Sequence, residues 1–181
     1  MPLSRRLRSP LVIGLAFAAG SATANPSQGF FLGADFGTVE PDVCDETSCL
    51  AGTEYAHRLV GGYRFNDYFA LEVDRTDSRR HRWTGATTSR RTELAQYSLR
   101  LTGFIPVTPD ASLVWMLGGN YWDARETDRG GGTQHTMDDS DLMVGVGVET
   151  RVSDNVRFRF QFEHTDADIQ SWMAGFRANI F

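Results

Sequence analysis

The 181-residue chain has no lysine; all 18 of its basic residues are arginine. We read that as the base composition of the gene, with no chemistry attached. There are two cysteines, Cys44 and Cys49, with no histidine nearby. That is too few ligands for a zinc site. The four histidines are scattered without metal-ligand spacing, so no metal and no cofactor are expected. Beyond a short stretch near the start, no apolar run approaches the roughly 20 residues that a membrane-spanning helix needs. The formal charge is −5, from 18 basic and 23 acidic residues. An acidic chain is poorly suited to non-specific nucleic-acid binding, and no nucleic-acid partner is expected.

The N-terminus carries an export signal. Arg5, Arg6 and Arg8 form a positive region, Leu11 to Ala19 a short apolar region, and Ala22-Thr23-Ala24 a small-residue cleavage site. This is the pattern of a secretory signal and not of a spanning helix. Two parts are expected: residues 1–24 as signal peptide, and 25–181 as a single domain. The signal holds three arginines and no acid, so the remainder carries 15 basic and 23 acidic residues, a formal −8. In an exported chain, Cys44 and Cys49 are expected to form a loop disulfide, because the periplasm is oxidising. The loop it closes is short, so its effect on global stability is small.

The strongest pattern runs from Asp141 to Thr165. Leu142, Val144, Val146, Val148 and Val152 fall on one face; Asp141, Gly145, Gly147, Glu149 and Arg151 fall on the other. After the turn Ser153-Asp154-Asn155, Val156, Phe158, Phe160 and Phe162 alternate with Arg157, Arg159, Gln161 and Glu163. Period-two alternation of this length marks strands with one apolar and one polar face. Strands of about ten residues suit a transmembrane β-barrel. Arginine on the lipid face would cost about 2–4 kcal/mol near the midplane, so the apolar face is the lipid face. A mean hydropathy of −0.32 does not argue against this, because alternation hides the apolar residues.

The rest of the chain reads as hairpins. The strand-like segments are Gly29–Gly37, Tyr55–Phe65, Tyr68–Asp77, Glu93–Ile105, Ala111–Trp122, the pair just described, and Ser171–Phe181. The connections at Asn66-Asp67, Pro106–Asp110 and Ser153–Asn155 are short. Those spanning Thr38–Glu54, Ser78–Thr92 and Asp123–Asp139 are long and polar, while Asp166–Gln170 is shorter. Outer-membrane barrels show this asymmetry, with short periplasmic turns and longer extracellular loops. Tyr63, Phe65, Tyr68 and Phe69 at one rim, with Tyr121 and Trp122 at the other, read as the interfacial aromatic girdle. The expected fold is all-β: an eight-stranded antiparallel up-and-down transmembrane β-barrel in the bacterial outer membrane. The alternative is a secreted β-sandwich burying the same faces.

The segment Gly61-Gly62-Tyr63-Arg64-Phe65-Asn66-Asp67-Tyr68-Phe69-Ala70-Leu71-Glu72 resembles the second hairpin of the OmpA-like and opacity-type small barrels. Gly145-Val146-Gly147-Val148-Glu149 followed by Ser153-Asp154-Asn155 resembles their sixth strand and third turn, and the chain ends on Phe181 as such barrels do. The resemblance covers the chain after the signal and marks architecture, not a ligand. One departure is the phase of the last strand. Trp172, Ala174, Phe176, Ala178 and Ile180 alternate out of phase with Phe181, and a bulge or one-residue insertion would reconcile them. With nothing after Phe181, no peptidoglycan-binding domain is expected.

An eight-stranded barrel has room inside only for its own side chains. Parity places Arg64, Glu72, Arg100, Glu149, Arg157, Arg159, Glu163 and Arg177 there, where charges must pair. The expected interior is a salt-bridged plug, with a narrow gated pore as the alternative. The segment holding Arg79, Arg80, Arg82, Trp83, Arg90 and Arg91 is a candidate surface-binding loop. Its charge suits lipopolysaccharide phosphates or an acidic glycan, or it simply offsets Glu40, Asp42, Asp45 and Glu46. The aspartates Asp138, Asp139, Asp141, Asp166 and Asp168 read as solvated loop charge, the alternative being a cluster at the extracellular rim that holds calcium. His164-Thr165-Asp166 is similar to the His-x-Ser-Asn signature of lipid A deacylases in the histidine alone. Asp166 and Ala167 stand at the Ser and Asn positions, so the nucleophile is missing and no catalytic residues are expected. The chain is therefore read as a monomeric, non-enzymatic outer-membrane barrel with a structural or surface-interaction role, the alternative being a low-conductance porin-like channel. Its expected partners are outer-membrane lipid, lipopolysaccharide and the outer-membrane assembly machinery.

Overall fold

A computed structural model describes residues 28–45, 48–51, 53–84, 88–128, 134–166 and 168–180; side chains at 42–51, 79–93 and 124–137 lie outside that description. The described residues form nine strands: β1 (Gly29–Asp45), β2 (Ser48–Ala51), β3 (Glu54–Arg64), β4 (Phe69–Thr84), β5 (Thr88–Pro106), β6 (Ala111–Asp128), β7 (Gln134–Arg151), β8 (Val156–Thr165) and β9 (Ile169–Asn179). Each barrel strand pairs antiparallel with the next. β1 also pairs with β9, from Phe31↔Asn179 to Pro41↔Ile169. That pairing closes eight strands into a barrel and leaves no free edge in the wall. β2 folds back on the far end of β1.

The alternation read from β7 and β8 holds throughout. Leu142, Val144, Val146 and Val148 are half or more exposed, while Glu149, Arg157, Arg159 and Glu163 are buried. Leu32, Phe36, Leu59, Val73, Leu117 and Phe176 continue the apolar outer surface around the barrel. So large an exposed apolar area with a charged interior is the inverse of a water-soluble protein and suits a lipid surround. On this face Trp115 packs across the strand pair onto Gly103 and meets Phe69 edge-on. A side chain at Gly103 would collide with the indole, so the glycine makes room for the aromatic that covers it.

The three tight connections fall where the turn residues predict. In the first, Asn66 Oδ1 accepts from the backbone N–H of Tyr68 at 2.8 Å and of Phe69 at 2.9 Å, an Asx turn. In the third, the Val152 N–H donates to the Val156 carbonyl at 2.9 Å.

Three expectations are corrected. The long polar segments are not loops along most of their length. β1 runs on to Asp45, β4 and β5 cover all of Ser78–Thr92 except 85–87, and β6 and β7 extend through Asp123–Asp128 and Gln134–Asp139. A ladder of backbone hydrogen bonds does not require an apolar face, and above the lipid zone the side-chain pattern turns polar while the ladder continues. Second, the last strand holds no bulge: its registers with β1 and β8 run unbroken, with Trp172, Phe176 and Ile180 outward and Arg177 inward. Phe181, Ala167 and the proposed signal peptide lie outside the described residues. Third, Trp122 is not part of the girdle. It is 4% exposed, and its Nε1–H donates to Asp141 Oδ2 at 2.6 Å. Neighbouring strand residues point to opposite faces, so only Tyr121 of that pair faces out.

Candidate functional site

The interior is built from the inward positions of all eight barrel strands. Among the described residues its buried charges are Asp35, Glu54, Arg58, Arg64, Glu72, Asp74, Arg100, Glu149, Arg157, Arg159, Glu163 and Arg177: six acids and six arginines. The balance is the first requirement for holding charges out of water. The eight inward charges expected from parity are all here, and so is Asp74. Asp35, Arg58 and Glu54 complete the set. Asp35 was legible from the alternation of Phe30, Leu32, Ala34 and Phe36. Arg58 and Glu54 were obscured because β3 also turns the apolar Ala56 and Val60 inward.

Glu163 and Glu72 are the hubs. Arg58 grips both oxygens of Glu163 at 2.6 Å and turns its Nε–H to Thr76 Oγ1 at 2.7 Å. Arg100 donates to the same Glu163 and, through Nε at 3.0 Å, to Glu72; its Nη2 lies 3.3 Å from Asp74. Gln161 and Ser171 add two more donors to Glu163. Arg159 joins Glu72 at 2.8 Å to Glu149 at 2.7 Å. Arg64 reaches the other oxygen of Glu149 at 2.8 Å, with its guanidinium 3.7 Å above the ring of buried Phe104. Arg177 holds Asp35 through both terminal nitrogens. Bidentate, charge-assisted contacts of this kind are the strong ones, and arginine's planar fork supplies them.

Apolar groups sit at both ends of this network. Val39, Ala56, Leu94, Trp122, Ile169 and Met173 pack together inside the barrel toward the long hairpins. Phe31, Ala70, Phe104, Val114 and Met116 pack toward the short turns. At the short-turn mouth lies a cavity of about 310 Å³ whose lining includes Arg64, Glu149, Arg151 and Arg157.

The remaining candidates fall elsewhere. Arg79, Arg80, Arg82 and Trp83 lie on β4, and Arg90 and Arg91 on β5. The register sets Arg82 opposite Arg90 and His81 opposite Arg91, so these residues share a ribbon and not a loop. Cys44 and Cys49 are direct cross-strand partners in the β1–β2 pair, and their side chains are among those not described. His164 is on the outer face, with its Nε2 4.0 Å from Asp168. Asp138 and Asp139 are exposed, whereas Asp141 is engaged by Trp122. Among the described residues, no group of three histidine, cysteine or acidic side chains is gathered as for a metal ion.

A closed antiparallel barrel of eight strands, apolar outside and charged within, defines a small transmembrane barrel. The chain belongs to the outer membrane protein beta-barrel domain family, which it matches over residues 10–179. Solved structures that share the fold include the following three. The outer membrane protein OprG from Pseudomonas aeruginosa is 15% identical, with a TM-score of 0.62 over 84% of this chain and 96% of that one. Neisserial surface protein A is 19% identical, with a TM-score of 0.57 over 84% and 97%. Ail, the attachment invasion locus protein of Yersinia pestis, solved in complex with the heparin analogue sucrose octasulfate, is 16% identical, with a TM-score of 0.56 over 83% and 96%. At these identities the likeness is one of fold. No curated protein matches the chain.

Proposed function

We propose that this barrel is a non-enzymatic structural and surface-interaction protein of the outer membrane, its interior plugged by its own side chains. The observation that carries the reading is the charge network. Six arginines and six carboxylates fill the lumen, and apolar clusters sit toward both ends. A water-filled pore would leave such groups hydrated and mobile, whereas here most are held by two or more partners. The surface role falls to the arginine-bearing β4–β5 ribbon. Oxyanions of lipopolysaccharide or of an acidic glycan fit its chemistry. That Ail was solved with a sulfated sugar analogue gives the same chemistry a precedent on this fold. Besides lipopolysaccharide and surrounding lipid, the assembly machinery of the outer membrane is the expected partner, and the barrel acts as a monomer.

The test is conductance of the refolded barrel in planar bilayers, with heat-shifted gel mobility as the control for folding. A folded, silent barrel supports the plug. Steady unitary currents would overturn it in favour of a low-conductance channel. One observation favours that second reading: Arg100 bridges three carboxylates and Arg159 two, so partners are available for exchange.

A further inference from the structure

The register at the short-turn end places arginine opposite arginine twice. Arg151 on β7 faces Arg157 on β8, and Arg157 faces Arg177 on β9. Like charges directly opposite in an antiparallel pair destabilise it. Arg177 is relieved by Asp35, and Arg151 lies 3.8 Å from exposed Asp110. Arg157, between them, is poorly served. Its side chain is 9% exposed, and its nearest carboxylate oxygen, Glu149 Oε1, is 3.7 Å from Nε, beyond hydrogen-bond reach. Both oxygens of Glu149 are already taken, one by Arg64 and the other by Arg159. What remains to Arg157 is one long hydrogen bond, Nη1 to Asn179 Oδ1 at 3.4 Å. The guanidinium borders the 310 Å³ cavity, together with Arg64 and Arg151. Three acids, Asp67, Asp110 and Glu149, also line it. Asp67 offers Arg64 its backbone carbonyl while its carboxylate attracts Arg157 from across the mouth, and Asp110 is the partner of Arg151.

We propose that this mouth is an oxyanion site. It takes one carboxylate or phosphate group from the periplasmic side, with Arg157 as the principal donor and Arg151 closing over it. None of the unpaired Arg157 nitrogens is sealed from the mouth, so they remain available as donors, and a bound oxyanion supplies acceptors and an opposite charge to them. A guanidinium presents two parallel N–H groups to such a group, which suits a carboxylate or phosphate better than a halide. The cavity is several times the volume of roughly 30 Å³ that a water occupies in the liquid, so a small anion enters whole and a larger molecule by one end. Inorganic phosphate and the free carboxylates of cell-wall peptides are the two sources this chemistry admits.

The test uses the barrel refolded in nanodiscs, with the Arg157 Nε resonance identified by its loss in Arg157→Gln. Sodium phosphate and sodium acetate are titrated against chloride at constant ionic strength. A saturable shift with phosphate or acetate in the millimolar range, absent with chloride and weakened at least tenfold in Arg157→Gln by another reporter resonance at the mouth, supports the site. Saturation by phosphate alone assigns it to phosphate, and saturation by acetate assigns it to carboxylates. Should Arg157→Gln fail the heat-shift control, Arg151→Gln takes its place, because Arg151 is exposed; a loss of affinity of threefold or more is then expected. Shifts that follow ionic strength alone, match those in chloride, or persist unchanged in the variants overturn the proposal.

Discussion

Glu163 accepts hydrogen bonds from Arg58, Arg100, Gln161 and Ser171, so its removal strands more charge than that of any peripheral residue. Glu163→Gln keeps the shape but leaves Arg58 and Arg100 short of an anion. Breaking a buried pair from one side costs about 3–5 kcal/mol, and that loss is expected in urea unfolding of the refolded barrel. Arg75→Gln serves as the comparison. Its ion pair with Asp77 is exposed on the outer wall, so its loss is expected to leave the unfolding midpoint nearly unchanged. Two glycines on the lipid face make a second contrast. A Cβ at Gly103 runs into the Trp115 indole, whereas one at Gly119 meets nothing. Gly103→Leu is therefore expected to cost about 1–3 kcal/mol and Gly119→Leu to stay within about 0.5 kcal/mol, by the same unfolding measurement. At this scale parity in the sequence was a reliable guide wherever one face was purely apolar. It failed for Arg58, on a strand whose inner face mixes Ala56 and Val60 with charges. It also failed for Trp122, where two adjacent aromatics were read as one girdle although they point to opposite faces.

Elements end for different reasons at the barrel's two mouths. At the short turns the backbone must reverse at once, and residues that favour reversal, such as Asn66, Pro109 and Asp154, announce it in the sequence. At the other mouth the strands continue past the lipid zone, where alternation is no longer enforced. The sequence from Ser78 to Thr92 therefore looks like a loop while its backbone keeps pairing from Ser78↔Leu94 out to Thr84↔Thr88. Beyond Glu93 this ribbon pairs with its neighbour β6 only at Arg90–Thr92, opposite Glu126–Asp128, so most of it is separable from the barrel. Arg79 and Glu93 are direct partners, so replacing residues 80–92 with Asn-Gly gives a two-residue hairpin of the favoured primed type. The variant is expected to refold with unchanged heat-shifted mobility and to lose retention on immobilised lipopolysaccharide or heparin. Equal retention would take the surface role away from this ribbon. Cys44 and Cys49, opposed across the β1–β2 pair, belong to another such extension; a disulfide there is expected to show as a linked peptide in a non-reducing digest.

For the whole molecule, what decides the class is the sorting of faces around a closed wall, and that sorting predicts how stability depends on depth. Val146 stands near the middle of the outward row on β7, between Leu142 toward the long hairpins and Val152 at the short turn, and all three are exposed. An arginine at the bilayer midplane costs about 2–4 kcal/mol, and near the interface about 0–1 kcal/mol. Val146→Arg is expected to lose the larger amount and Val152→Arg the smaller, measured by urea unfolding from lipid vesicles. Were the apolar face packed against protein, as in a sandwich, both positions would depend on local packing with no order by depth. In a barrel the penalty follows height along the strand, so Val144→Arg and Val148→Arg should fall between or near the midplane value. The interior charges set the opposite condition, because turning β7 by one residue would bring Glu149 to the lipid, and turning β8 by one would bring Arg157, Arg159 and Glu163. The network inside and the apolar rows outside therefore fix the same register. A depth-independent response to arginine would remove the lipid from that argument.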